Sequence, residues 1–312
     1  MDEIHIPNDA TYVPVALTDL VAGAPLASRL LLGATLPGRV VSAAALGLYA
    51  GSAVKDWSRR RHVRPVDFMA EFGADVHHLV PMPEEERRGE ARRLARLLRD
   101  GYVDDLPPRD ELAEQVNDHL TDYIASLTGQ RVVTSSEIRD FTLARAVFPF
   151  AMGACDFISG DVALFQDTGI LEPHILAHEL THRKGYMKEL HAQALAYLAL
   201  VSSGDPVLVQ AARMERLHRQ LKVLAGESSS RYHDRVDELE LPPELDRPLR
   251  ALRPPPTAYQ STVSMVMRDL YDRRLKLTGQ NGISDYDRGF TDFLWTFQHA
   301  VRARQGGELA RV

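Results

Sequence analysis

Residues 177–186 read Ala-His-Glu-Leu-Thr-His-Arg-Lys-Gly-Tyr, and this stretch decides how the rest of the chain is interpreted. Side chains four positions apart lie on the same side of a helix, so His178 and His182 are placed to bind one metal ion. Glu179 occupies the position at which an HEXXH motif carries a general base. Histidines on the surface of an ordinary helix are the alternative, but the apolar surroundings favour a metal site. We therefore expect one bound zinc ion.

A zinc site needs a third protein ligand, and Glu189 and His191 compete for that role. On a straight helix, with a rise of about 1.5 Å per residue, Glu189 would lie roughly 10 Å along the axis from His182, too far to share an ion. His191 would also face the opposite side. We therefore predict that the helix ends near Gly185, where glycine permits a turn, and that a second helix brings one of these ligands back.

Composition limits the function classes that the chain can have. With 312 residues, 45% of them hydrophobic, it is long enough for one large domain or two small ones. The net charge of -6 argues against nucleic acid as the main partner, which would need a basic surface. Cys155 is the single cysteine, so neither an internal disulfide nor a cysteine-rich metal site can form. We expect its thiol to be buried rather than nucleophilic.

The amino-terminal region is apolar and rich in alanine and glycine up to Pro81-Met82-Pro83. We predict a boundary there, between a region over 1–82 and a domain over 83–312. Residues 30–54 are long enough to span a bilayer, but Arg39 near the centre would cost about 2.5–3.5 kcal/mol. Packed helices are favoured over a degenerate membrane hairpin. The start of the chain lacks a secretory signal, so we expect a cytoplasmic protein, with peripheral membrane association left open.

Hydrophobic periodicity predicts a mainly α fold with a small β component. We expect the metal helix to begin at Glu172. Further helices are expected over 84–98, 109–127, 187–202, 206–224, 257–277 and 286–304. Residues 228–256 are expected to form a loop with one short helix. Strands are expected at 131–134 and 161–165. The second strand is interpreted either as an edge that aligns an extended peptide by strand addition or as a strand of the core.

Several weak motifs occur in a fixed order over roughly residues 130–300: Ser136-Glu137, Phe148-Pro149-Phe150, the block 177–186, Ala196–Ala199, Tyr271–Lys276, Gly279-Gln280, Gly282 and Tyr286. In this order the chain resembles a bacterial family of unknown function whose members are predicted membrane-linked HEXXH zinc metallopeptidases. The resemblance implies a zincin-like helical metallopeptidase domain. In that family a Glu-Ala-Asn element follows the metal helix, and His191-Ala192-Gln193 stand at the matching positions here. The resemblance therefore favours His191 over Glu189 as the third ligand.

The leading hypothesis is a zinc-dependent peptidase acting on a peptide or protein, with Glu179 as general base. The resemblance makes Tyr286 the donor that stabilises the oxyanion, with His233 and Arg288 as weaker candidates and a packing role for Tyr286 as the alternative. Gln193 is a candidate partner that orients a ligand. Two other functions stay open. One is a metal-dependent enzyme of another class, catalysing a different hydrolysis or an iron-dependent oxidation; the other is a non-catalytic scaffold that retains the site.

Overall fold

The computed structural model describes residues 2–6, 8, 35–140, 151–156, 159–254 and 258–309. The expected mainly α fold is confirmed. The helices are α1 (Leu36–Arg60), α2 (Phe68–Phe72), α3 (Glu84–Asp100), α4 (Arg109–Thr128), α5 (Glu172–Arg183), α6 (Glu189–Ser202), α7 (Pro206–Ala225), α8 (Ser229–Asp237), α9 (Pro243–Ala251), α10 (Ala258–Leu277) and α11 (Arg288–Leu309). Short 3-10 helices cover Gly169–Leu171 and Ile283–Tyr286.

Two small sheets accompany the helices. β1 (Asp2–His5) pairs in parallel with β2 (Gln130–Val133). In the second sheet, β5 (Val162–Leu164) lies between β3 (Arg139–Asp140) and β4 (Gly153–Cys155). All three residues of β5 are buried, so this strand belongs to the core and is not the edge that would align a peptide. β3 and β4 are the outer strands of this sheet, and no described strand pairs with the side of β4 that faces away from β5.

The helix that carries the HEXXH motif lies at the centre of the molecule. Every residue of α5 is buried, and it packs against α4, α6, α7 and β4. Leucines and alanines make up most of α6, which lies against α4, α5 and α7. Closely packed side chains are held in their rotamers, so this packing fixes the position of the helix that carries the motif.

Within 228–256, where a loop with one short helix was expected, the residues described up to 254 form two helices, α8 and α9. Ser228 caps α8, since its side chain accepts a hydrogen bond from the Arg231 N–H. Pro243 begins α9, at a position where proline costs no helical hydrogen bond. Serine and proline in this region therefore mark the starts of helices, which is why the composition was mistaken for that of a loop.

The amino-terminal region contributes one long helix and part of the core. Pro37 lies in the first turn of α1, where it is tolerated, so the helix continues for 25 residues. No helix among the described residues is long and apolar enough to cross a membrane. Phe68 and Phe72 of α2 belong to the same hydrophobic core as α3 to α7. The boundary near residue 82 stays a prediction, and the motif Phe148-Pro149-Phe150 lies outside the described residues.

Candidate metal centre

The turn between α5 and α6 brings the ligands together. α5 ends at Arg183, and the Lys184 N–H closes its last turn on the Leu180 carbonyl. Gly185 follows with φ of 108°, a conformation that residues with a side chain rarely adopt. A Cβ at this position would meet no atom closer than 3.8 Å, so the backbone angle, not crowding, requires glycine. α6 then starts at Glu189, which confirms the predicted helix end near Gly185.

Three ligand atoms meet in a buried triangle. The Nε2 atoms of His178 and His182 are 3.2 Å apart, and Glu189 Oε2 lies 3.3 Å from the first and 3.1 Å from the second. Zinc bonds of about 2.0–2.1 Å in a tetrahedral arrangement would separate neighbouring ligand atoms by about 3.3 Å. The three residues are between 1% and 6% exposed. The spacing and the donor types therefore fit one metal ion.

A backbone contact sets the tautomer of His182. Its Nδ1 lies 2.8 Å from the Tyr186 carbonyl oxygen, which only accepts hydrogen bonds. Nδ1 must therefore carry the proton, and in the neutral ring Nε2 presents a lone pair to the triangle. This is the tautomer that a metal-binding histidine needs.

The charges at the cluster favour a cation. Burial lowers the pKa of His182, but the Glu189 carboxylate outweighs burial and raises the pKa to about 9. Burial raises the pKa of Glu189, yet the two imidazoles shift that pKa well below its usual value. The carboxylate is therefore ionised, and the site stabilises a positive charge beside it.

His191, the third ligand favoured by the resemblance, lies elsewhere. Its ring stacks on Phe68, with centroids 3.8 Å apart and an interplanar angle of 12°. Burial lowers its pKa to about 4, which keeps the ring neutral. On a helix, two residues correspond to about 200° of rotation, so when Glu189 faces the histidines His191 faces the opposite side of α6. The structure therefore brings Glu189, and not the favoured His191, to the two histidines.

Glu179 is buried between the cluster and β4. Burial raises its pKa, the two cluster imidazoles lower it, and the backbone N–H of Cys155 is a hydrogen-bond partner. A carboxylate with a raised pKa accepts a proton more readily than an exposed one. The buried position expected for Cys155 is confirmed, and burial together with the Glu179 charge raises the pKa of its thiol.

Two tyrosines adjoin the cluster from the carboxyl-terminal part of the chain. The ring of Tyr286 lies 5.7 Å from the His178 ring, measured between centroids. Its hydroxyl is 3.1 Å from that of Tyr271, which in turn lies 2.7 Å from Glu189 Oε1. The structure thus places Tyr286, the donor that the resemblance implied, beside the cluster. It also adds Tyr271, to which no role was assigned because its spacing from the motif follows no rule.

The other predicted participants are placed apart from the ligands. His233 contacts the Arg253 carbonyl oxygen at 3.0 Å, and Arg288 is exposed. Gln193 donates to Glu215 of α7 instead of to one of the three ligand residues.

Glu215 is the centre of a buried polar group next to α5. Arg219 donates to Glu215 at 2.6 Å and to Asp287 at 2.8 Å, so it links α7 to the residue that follows Tyr286. Its guanidinium also lies 5.9 Å from the centroid of the Tyr286 ring. His174 Nε2 is 3.8 Å from Glu215, and burial lowers the pKa of His174 to about 4. This group fixes the turn that carries Tyr286.

One comparison with known proteins covers this part of the chain. Residues 168–294 match the family described as "Protein of unknown function (DUF3810)". The matched span includes α5, α6, Tyr271 and Tyr286, and it agrees with the resemblance to a family of unknown function. Its description names no activity. Neither the curated proteins nor the solved structures give a match to this chain.

Proposed function

We propose that this protein is a zinc-dependent metallopeptidase. The observation that carries the proposal is the buried triangle of His178, His182 and Glu189 with Glu179 beside its first member in the HEXXH motif. Two histidines and a carboxylate form the ligand set of many zinc hydrolases, and they leave a coordination position open. A zinc ion held in this way supplies Lewis acidity and brings the pKa of water toward neutrality.

The residues of this chain then have distinct roles in peptide hydrolysis. Glu179 accepts a proton from the attacking water and returns it to the leaving amine. The Tyr286 hydroxyl donates to the oxyanion that develops on the former carbonyl oxygen. Burial and the Glu189 charge raise the pKa of Tyr286 well above its usual value, so it keeps the proton that it must donate.

The outer side of β4, with which no described strand pairs, supports a peptide substrate. Cys155 lies on this strand, and its N–H is a partner of Glu179, so the edge runs beside the general base. An extended peptide can pair with such an edge through its backbone. The substrate would then be recognised through its main chain close to the bond to be cleaved.

Substitution of Glu179 tests the proposal directly. Glu179→Gln keeps the shape of the side chain but removes the base, so we expect zinc content to stay at one ion while cleavage of a mixed-sequence, internally quenched peptide pool falls about 10²–10⁴-fold. Glu114→Gln makes the same chemical change at an exposed position and should leave the rate unaltered. A wild-type protein that binds zinc but cleaves none of the pool would overturn the proposal, as would full activity of Glu179→Gln.

Iron chemistry is the second function that the ligand set supports. Two histidines and one carboxylate also hold Fe²⁺ in oxygenases with open coordination positions. Glu179 favours hydrolysis, because oxidation at such a centre has no need of a buried carboxylate base next to a ligand. Metal analysis of protein purified without added metal separates the two functions, since stoichiometric iron with little zinc would contradict the peptidase.

A further inference from the structure

The Tyr271 hydroxyl forms a hydrogen bond with one of the two oxygens of the Glu189 carboxylate. Oε1 lies 2.7 Å from the Tyr271 hydroxyl, whereas Oε2 lies 3.1 and 3.3 Å from Nε2 of His182 and His178. One oxygen faces the ligand triangle and the other is held from outside it. We propose that Tyr271 is a positioning residue that keeps Glu189 bound to the metal through Oε2 alone. This inference rests on the metal site of the proposed function.

The direction of the hydrogen bonds between Glu189, Tyr271 and Tyr286 follows from the single proton that each tyrosine hydroxyl can donate. An ionised carboxylate only accepts, so Tyr271 must use its single hydroxyl proton on Glu189. Tyr286 is a hydrogen-bond partner of both Glu189 and Tyr271, and in its 3.1 Å contact with Tyr271 it is the donor, since the Tyr271 proton is already used. A hydroxyl bonded to a charged oxygen makes one of the stronger hydrogen bonds in a protein. Tyr271 is therefore committed to Glu189, while Tyr286 can exchange its partner for an oxyanion.

A second contact holds the same ligand by its backbone. The Glu189 N–H donates to Gln280 Oε1 at 2.7 Å, at the start of α6, where helical N–H groups have no partner within the helix. Tyr271 lies in the carboxyl-terminal half of α10, and Gln280 follows in the connection from α10 to α11. The main chain and the side chain of Glu189 are thus both fixed by α10 and the connection that follows it.

Coordination through one oxygen has a chemical consequence. A carboxylate whose two oxygens are both free can bind a cation in bidentate fashion and so occupy a second coordination position. Zinc that is to activate water needs three protein ligands and one open position. By occupying Oε1, Tyr271 keeps that position available, although it does not touch the metal or the substrate.

The coordination number can be read from the spectrum of cobalt-substituted protein. Four-coordinate Co²⁺ absorbs visible light far more strongly than Co²⁺ with five or six ligands. At saturating Co²⁺, the wild-type protein should show the strong band, and Tyr271→Phe should lose most of it because Glu189 closes on the ion with both oxygens. Tyr102→Phe makes the same chemical change at a hydroxyl that donates to Asp104 rather than to Glu189, so this variant should keep the band.

Each result decides one question. An unchanged strong band in Tyr271→Phe overturns the proposed role of Tyr271 and leaves the peptidase proposal standing. A wild-type protein with the strong band but no cleavage of peptides overturns the peptidase and leaves Tyr271 in its role. If Tyr271→Phe does not fold, X-ray absorption of the zinc-loaded wild-type protein gives the answer. Four light ligands at about 2.0–2.1 Å support the inference, and five or more overturn it.

Discussion

Glu189 contacts both cluster histidines through one oxygen, whereas His191 stacks on Phe68, so substitutions should separate these two neighbours. Glu189→Gln removes the anionic ligand, and its zinc affinity should fall by more than the roughly 10–100-fold typical of losing a partner outside the ligand set. His191→Phe should keep wild-type affinity, because an apolar ring suits the contact with Phe68. Zinc competition with a coloured chelator measures both. Loss of zinc in His191→Phe with retention in Glu189→Gln would reverse the assignment.

His218 makes stability depend on pH. It is buried beside the Tyr232 hydroxyl, at 2.8 Å, and burial and the positive charge of Arg219 lower its pKa to about 3. The unfolded chain takes up this proton near pH 6.5, but the folded protein does not, so stability falls as the pH drops from about 6.5 toward 3. Between pH 7 and pH 5 the loss due to this residue is about 2 kcal/mol at about 1.36 kcal/mol per pH unit.

The variant His218→Gln tests this dependence, because an amide can still bond to the Tyr232 hydroxyl but does not titrate. Urea unfolding at both pH values should show that the variant loses about 2 kcal/mol less than the wild-type protein on acidification. Other titrating groups are the same in both proteins and cancel in the difference. Equal losses in the two proteins would show that His218 is protonated in the folded state at pH 5.

At the scale of elements, the turn between α5 and α6 fixes where Glu189 stands relative to the histidines. Gly185→Ala places a side chain on a backbone with φ of 108°, which should cost about 1–3 kcal/mol. Part of that strain will be relieved by moving the start of α6, so zinc affinity should fall as well. Gly204→Ala is the matched control, since Gly204 also has positive φ, at 75°, and open space around it.

Thermal unfolding and zinc titration distinguish these two glycine variants. Both should lose stability, but Gly204 follows the far end of α6, so its substitution should leave zinc affinity unchanged. If Gly185→Ala binds zinc as tightly as the wild-type protein, the position of Glu189 does not depend on this turn. If both variants lose zinc affinity equally, general destabilisation explains the effect.

The same turn shows what the sequence could predict. The end of α5 followed from local geometry, because on a straight helix neither Glu189 nor His191 could reach the metal site of His178 and His182. The choice between Glu189 and His191 depends on how α6 is rotated about its axis. Contacts with Phe68 and Gln280 set that rotation, and both lie far away in the chain. Tyr271 could not be assigned a role for the same reason, since 82 residues separate it from the ligand it holds.

At the scale of the whole molecule, the region before residue 83 contributes to the core that supports the site. Phe68 and Phe72 are each 3% exposed. Losing a buried phenylalanine costs about 3–5 kcal/mol, so losing both approaches the roughly 5–15 kcal/mol that stabilises a typical domain. A chain of residues 83–312 should therefore unfold without a cooperative transition and bind a hydrophobic dye.

A chain of residues 35–312 is the control for this truncation, because it keeps α1 and α2 and loses β1 among the described elements. It should unfold cooperatively, and calorimetry shows the difference between the two chains. A cooperative transition of the shorter chain at the wild-type temperature would establish that residues 83–312 form an independent domain, as the composition of the sequence indicated.

The hydrogen bond from Tyr271 to Glu189 also has a consequence for the order of events during synthesis. His178, His182 and Glu189 lie within one short stretch that leaves the ribosome before Tyr271, which follows Glu189 by 82 residues. At about 5–20 residues per second, the two are separated by roughly 4 to 16 s. During this interval a nascent chain can bind an ion while Glu189 is still free to coordinate it through both oxygens. On the proposed role of Tyr271, coordination through Oε2 alone is then reached only after Tyr271 has also left the ribosome.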